Sequence, residues 1–282
     1  MNPEIMRIAA FSDGNQGGNP AGVMIADAHP GESEMARIAA EIGYSETAFA
    51  RPEGGGWGVR YFSPESEVPF CGHATIALGA ALALQQGAGV YPLTLNEAEI
   101  TVEGKLENGT MWAALQSPPT HNAPMPAELI SEVLTLFGYH HDNLNPEIPP
   151  ARVHGGADHL ALCLNSRAAL AVMQYDLDAG RELMKREGLI TIMLAWAENP
   201  RLFHSRNPFA SGGVYEDPAT GAATAAFAGY LRDLGWPHEG SIEIVQGEDM
   251  GMRSRLQAGI SPQAGGSIRV AGSARMIEGE PA

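Results

Sequence analysis

Glu46, Cys71, His73 and Asp217 are the side chains of this chain whose types and surroundings suit proton transfer. Cys71 and His73 flank Gly72, and Asp217 opens the run Asp217-Pro218-Ala219-Thr220-Gly221. The two stretches are copies of one pattern. Glu67-Val68-Pro69-Phe70-Cys71-Gly72-His73-Ala74-Thr75 reappears as Glu216-Asp217-Pro218-Ala219-Thr220-Gly221-Ala222-Ala223-Thr224, with Glu, Pro, Gly, Ala and Thr recurring 149 positions apart. A second echo lies upstream, Arg60-Tyr61-Phe62 against Arg201-Leu202-Phe203. Each copy runs into an alanine-rich apolar stretch. A helix beginning at Gly72 or Gly221 leaves backbone N–H groups unpaired and carries about half a positive charge at that end. Glycine has no Cβ, so an anion can approach the backbone closely. The pattern predicts two main-chain binding points for a small carboxylated substrate, serving a shared site. A lone copy would read as a strand end and a helix start; two copies in register point to a duplicated architecture.

Glu46 sits at a helix–strand junction between Ser45 and Thr47, with apolar residues following. A carboxylate against an apolar wall has its charged form disfavoured, which moves it toward the range useful for proton transfer. A capping or salt-bridged glutamate is the plainer alternative. His73 falls in the first turn of its helix, where the positive dipole end opposes imidazole protonation, so a neutral ring could donate a hydrogen bond or relay a proton. A capping or core histidine fits as well. Asp217 could orient that histidine or cap the second helix, and Glu216 reads as solvated. A helix start also lowers a thiol pKa, yet the counterpart of Cys71 is Thr220, so a symmetrical two-thiol epimerase is disfavoured. Cys163, in an apolar strand, reads as packing. The nine histidines show no zinc-ligand spacing. Neither a Walker loop nor a dinucleotide glycine fingerprint is present. Metal and organic cofactor are both expected to be absent.

Composition narrows the class. The net charge is −16 and the 17 lysines and arginines form no run, whereas nucleic-acid binding rests on clustered cations. A hydrophobic fraction of 44% suits a globular chain. Two cysteines make no disulfide framework and suggest a reducing compartment. Met1-Asn2-Pro3-Glu4-Ile5 lacks the flank of a signal peptide, and no run of about 18 apolar residues suggests a membrane span. A soluble, cytoplasmic protein is expected.

Alternating segments of strand and helix period must position these residues. The expected strands include Ile5–Phe11, Trp57–Phe62, Leu160–Leu164, Leu189–Ala197, Ser241–Gln246 and Ser267–Ala271. Helices are expected at Met35–Ile42, Ala74–Gln86, Glu128–Phe137, Ala168–Met173, Ala179–Arg186 and Ala222–Leu234, and Gly54-Gly55-Gly56 reads as a turn. The helices after the repeated motif are apolar nearly all round and hence central. The predicted fold class is α+β: two pseudo-symmetric domains, each a curled, mostly antiparallel sheet around a central helix. The boundaries expected are 1–118, completed by a C-terminal strand at about 267–282, and 127–266, with the proline-rich stretch 119–126 as linker.

Five blocks, Asn19-Pro20-Ala21-Gly22-Val23, Ser45-Glu46-Thr47, Arg60-Tyr61-Phe62-Ser63-Pro64, Val68 to Thr75 and Glu216 to Gly221, together resemble the phenazine-biosynthesis PhzF-like family. The resemblance implies a diaminopimelate-epimerase-like fold, a homodimer, a biosynthetic isomerase without metal or organic cofactor, and a site between two domains. It implies Glu46 as the acid/base that takes a proton from one carbon and returns it to another, assisted by His73 and Asp217. Asn19, Gly72, Thr220 and Gly221 are implied to bind substrate. The family activity isomerises trans-2,3-dihydro-3-hydroxyanthranilate. The related epimerases carry cysteines where this chain has Cys71 and Thr220. The chain departs from the family pattern at Ala222, often serine, which removes one side-chain contact to substrate. An epimerase or racemase using Cys71 as one base, and a non-catalytic small-molecule-binding protein of the same fold, are the alternatives.

Overall fold

The structure, a computed structural model, describes residues 5–96 and 98–277. It divides into two compact units. The first holds the chain up to Gln116 together with the residues from Ala271, and the second holds Ser117–Val270.

In the first unit the strands are β1 Ile5–Ala10, β2 Asn19–Ile25, β3 Thr47–Glu53, β4 Gly56–Phe62, the short β5 Glu67–Val68, β6 Gly89–Thr94, β7 Glu99–Glu107 and β8 Thr110–Gln116. Helix α1 covers Glu32–Ile42 and α2 covers Gly72–Gln86. Pairing runs antiparallel for β1–β2, parallel for β2–β3, antiparallel for β3–β4, parallel for β4–β6 and antiparallel for β6–β7 and β7–β8. Alpha-helix α1 buries Met35, Ile38 and Ala39 against Met24, Phe49 and Phe62, as its apolar spacing predicts. Helix α2 is different. Every residue from His73 to Ala83 is buried, because strands β1, β2, β3, β6, β7 and β8 all pack against it. Its small side chains let the sheet close in: a Cβ on Gly104 would stand 2.2 Å from the Gly79 carbonyl oxygen.

The second unit repeats the scheme. Its strands are β9 His121–Pro124, β10 Ala151–His154, β11 Asp158–Leu164, β12 Thr191–Asn199, β13 Leu202–Phe209, β14 Val214–Asp217, β15 Ser241–Gln246 and β16 Ser254–Ile260, and its helices are α3 Ala127–Phe137, α4 Arg167–Ala171, α5 Leu177–Glu187 and α6 Gly221–Leu234. From β10 onward the pairings are antiparallel, parallel, antiparallel, parallel and antiparallel (β10–β11, β11–β12, β12–β13, β13–β15, β15–β16). That is the order found from β1 to β7, with α6 in the place of α2. The α6 helix packs on β9, β10, β11 and β16. Alternate residues of the parallel pair, Leu160, Leu162, Leu164, Ile192 and Leu194, join Val133, Phe137, Leu170 and Met184 of the three remaining helices in a second apolar layer. The last strand, β17, covers Ile268–Met276, and the chain re-enters the first unit within it, where Ala274–Met276 pair antiparallel with β1.

One sequence expectation changes here. The stretch 119–126 is not a free linker. Thr120 donates its N–H to the Gly265 carbonyl, and β9 pairs with β10 from His121 to Pro124. Prolines break the interior of a sheet, but an edge strand tolerates them. The strand expected at about 267–282 is described to Met276, and residues 278–282 of that expectation lie outside the described residues, as do the first four residues of the chain. Among the described residues no helix is long and apolar enough to cross a membrane.

Candidate active site

In the first unit, β3 and α2 bring three of the singled-out side chains together. Glu46 immediately precedes β3, and its carbonyl accepts the N–H of Gly22 on β2. His73 lies in the first turn of α2, 8% exposed. Its Nε2 is 3.5 Å from a Glu46 carboxylate oxygen and 3.3 Å from the Ser45 hydroxyl, while its Nδ1 is 3.3 Å from the Cys71 sulfur. The tautomer with hydrogen on Nε2 suits these contacts, donating to the Ser45 hydroxyl with the Glu46 carboxylate just beyond it and accepting from the thiol at Nδ1. One imidazole therefore links a thiol to a carboxylate that is itself largely buried. Thr75 holds the helix start: its hydroxyl donates to the Cys71 carbonyl at 2.7 Å and contacts the Tyr61 hydroxyl at 2.7 Å. A Cβ on Gly72 would meet nothing within 4 Å, so the start of α2 borders open space at that position. Asn19 is buried as the first residue of β2, opposite Ala10.

The second unit assembles its own group at the start of α6. Asp217 ends β14, and a carboxylate oxygen accepts the Thr220 hydroxyl at 2.5 Å. Gln246, fully buried at the end of β15, completes the arrangement. Its Oε1 accepts the Thr220 N–H at 3.1 Å, and its Nε2 donates to the Asp217 carbonyl at 2.7 Å and to the Thr220 hydroxyl at 3.0 Å. Sequence reasoning missed Gln246. The one signal was a polar residue closing the apolar strand Ile242-Glu243-Ile244-Val245, followed at once by glycine. Gly221 then begins the helix, as the repeat predicts.

Glu216 is a correction. It is not solvated but 4% exposed, held bidentate by Arg206 of β13, whose Nε lies 3.0 and 3.2 Å from the two carboxylate oxygens. The second copy's arginine is thus Arg206, and Arg201 of the sequence echo is a turn residue paired with the exposed Glu239. The first copy has the same pairing in weaker form, Arg60 with Glu67. A duplicated pair of this kind anchors each short strand before its helix.

Strand register also explains why the two units differ in chemistry. Gly22 stands opposite Thr47 in β2–β3, and His159 stands opposite Thr191 in β11–β12. The residue before each threonine is Glu46 in one unit and Ile190 in the other, so the carboxylate occurs once. A Cβ on Gly22 would lie 2.6 Å from the Thr47 hydroxyl, so glycine lets β3 carry Glu46 against β2. In the second unit that space holds the His159 ring, hydrogen-bonded through Nδ1 to the Thr191 hydroxyl at 2.8 Å. Burial pushes this imidazole down to about 3, keeping it neutral.

Zinc-type spacing is not the only route to a ligand set. Glu46, Cys71 and His73 each offer one ligand atom within 4.8 Å of the others, as do His121, His154 and Asp158 in the second unit. Linear spacing misses both, because their members come from separate strands and loops.

The two cysteines separate cleanly. Burial pushes the Cys163 thiol up to about 12. Since the thiolate is the nucleophile, iodoacetamide at pH 8 should add at most one group to the native chain, at Cys71. A second adduct should appear only after denaturation. Intact-mass and peptide-mass measurements check this, and native labelling of Cys163 would contradict the strand packing.

A family model described as phenazine biosynthesis-like protein matches residues 8–279. The chain is 32% identical over 268 residues to the trans-2,3-dihydro-3-hydroxyanthranilate isomerase of Pseudomonas chlororaphis, covering 93% of this chain and 92% of that protein. It is 28% identical over 256 residues to the uncharacterized isomerase YddE of Escherichia coli O157:H7, covering 88% and 85%. Among solved structures, a predicted epimerase, PA4716 from Pseudomonas aeruginosa, shares the fold with a TM-score of 0.85 at 22% identity, covering 98% of each chain.

Proposed function

The chain belongs to the phenazine biosynthesis-like protein family, whose curated relatives here are named isomerases, and from that premise we propose that it moves a carbon-bound proton within a small carboxylated metabolite. The observation that carries this reading is the Glu46 carboxylate, largely buried and in contact with His73 at the head of α2. Glu46 takes a proton from one carbon, becoming a neutral acid while the electron pair is delocalised through the substrate. It then returns the proton to a second carbon, so no atom is gained or lost. His73 steadies the carboxylate between the two transfers. In the first unit the N–H groups at Gly72 bind the substrate's anionic group, and in the second unit Asp217 with Thr220 and Gln246 keeps the helix start at Gly221 in shape. Asn19 adds a substrate contact in the first unit, and Thr220 is the residue assigned that role in the second. The reaction needs no metal or organic cofactor, and the active species is a homodimer.

The substrate class includes trans-2,3-dihydro-3-hydroxyanthranilate, on which the Pseudomonas chlororaphis relative acts by name. Ala222 offers no hydroxyl at its position, which favours a substrate with one polar group fewer there. The test uses this compound and a panel of small cyclic carboxylates deuterated at the acidic carbon. Turnover must move the label off that carbon, to another carbon or to water. Turnover with the label retained, or saturable binding with no turnover across the panel, would overturn the reading in favour of other chemistry or a binding protein. The contact between Cys71 and His73 favours a second reading, an epimerase with the thiol as one base. In that case Cys71→Ser would stop label exchange as completely as loss of Glu46.

A further inference from the structure

We propose that His121, His154 and Asp158 form a binding site for a divalent transition ion of the zinc class, on residues of the second unit that the proposed isomerisation does not use. The three are not neighbours by chance of rotamer. His154 of β10 stands directly opposite His121 of β9 on one side and Asp158 of β11 on the other. Directly opposed residues project from the same face of a sheet, with Cβ atoms about 4.5–5.5 Å apart. His121 and Asp158 are therefore two strands apart, a backbone separation of about 9–10 Å. Their ligand atoms nevertheless lie within 4.8 Å of each other and of the His154 nitrogen. The side chains lean over the central strand and converge.

The details fit a metal better than a chance surface cluster. The two imidazoles stack at 4.4 Å between centroids with 20° between planes. His154 Nδ1 is 2.8 Å from an Asp158 carboxylate oxygen, and Asp158 is partly exposed. A bound ion would replace the proton shared by these two atoms, making both of them ligands. Zinc binds imidazole nitrogen at about 2.0–2.1 Å and carboxylate oxygen at about 2.0–2.2 Å. Coordination requires the three donors, now within 4.8 Å of one another, to draw closer, and the side chains that carry them reach solvent. Two imidazoles and a carboxylate suit zinc, nickel and copper rather than magnesium or calcium. Water would fill the remaining positions. Such an ion ties β9, the edge strand that follows the prolines Pro118 and Pro119, to the β10–β11 hairpin.

The full-length chain titrated with zinc chloride in a calorimeter should bind one equivalent at this site. Its melting temperature should rise with zinc concentration by mass action. His121→Ala and His154→Ala should each abolish that equivalent and the rise, and Asp158→Asn, which removes the charged oxygen ligand, should weaken binding. Copper bound to the same chain should show nitrogen hyperfine coupling in its paramagnetic resonance spectrum, lost with either histidine. Circular dichroism of each variant confirms that these surface changes leave the fold intact. Cys71→Ser separates this site from the Glu46–Cys71–His73 group and should leave the equivalent in place. Zinc binding that persists in His154→Ala, that vanishes in Cys71→Ser, or that is absent altogether would overturn the proposal.

Discussion

Glu46→Gln should lower the rate of carbon-bound proton exchange by about 10²–10⁴-fold, the usual contribution of one positioned acid/base. Glutamine keeps the shape beside His73, whose Nε2 lies 3.5 Å away, but it cannot take up a proton at neutral pH. The interaction lost exists in the transition state and not in the bound ground state, so kcat should fall while KM changes little. Cys71→Ser provides the contrast. If the thiol only contacts the histidine, exchange in that variant stays within about tenfold of the parent, below the smallest effect expected of a lost base. Isotope-exchange rates of the two variants decide between the single-glutamate and thiol-base readings. Unimpaired exchange in Glu46→Gln would end the first.

Glu216→Ala should destabilise the fold by about 3–5 kcal/mol, the usual cost of stranding one member of a buried ion pair. Arg206 is 8% exposed and would keep only its bonds to the Ala171 and Met173 carbonyls, at 3.0 and 3.2 Å. A guanidinium buried that far is poorly solvated once the carboxylate is gone. The double variant Arg206→Met with Glu216→Leu should recover much of the loss, because an apolar pair leaves no unpaired charge. The homologous change in the first unit is a built-in control. The Arg60 and Glu67 side chains are each 24% exposed, so Glu67→Ala should cost only about 0–1 kcal/mol. Urea unfolding midpoints measure all of these, and equal costs for Glu216→Ala and Glu67→Ala would contradict the burial argument. Because Glu216 directly precedes Asp217, its loss should also loosen the start of α6.

The elements that the sequence made plain are those whose physics is local. Both central helices were legible because a run of Ala, Gly and Leu without a polar face has nowhere to go but the interior, and the glycine before each marked its start. Helix α1 was legible from its apolar spacing. Strand β16 was not. Ser254, Leu256, Ala258 and Ile260 face inward with Arg255 and Gln257 between them, but only two of the inward residues are large and apolar, so the alternation is weak. The β9 edge strand was hidden in the same way by its prolines, whose cost depends on which neighbours the strand has.

The candidate site divides along the same line. Sequence by itself determined the repeat, the two glycine-headed helices and the family to which Glu46, His73 and Asp217 are matched, since these are carried by residue type and order along the chain. Tertiary structure decided that His73 touches Glu46 through one nitrogen and Cys71 through the other. It also decided that Gln246 laces Asp217 to Thr220, that Glu216 is buried on Arg206, and that three residues of separate strands converge at His154. Each of these depends on strand register, and register is fixed by which faces are buried across the whole sheet. A residue's type records what chemistry it can do; only the folded sheet sets its distance to a partner far away in the chain.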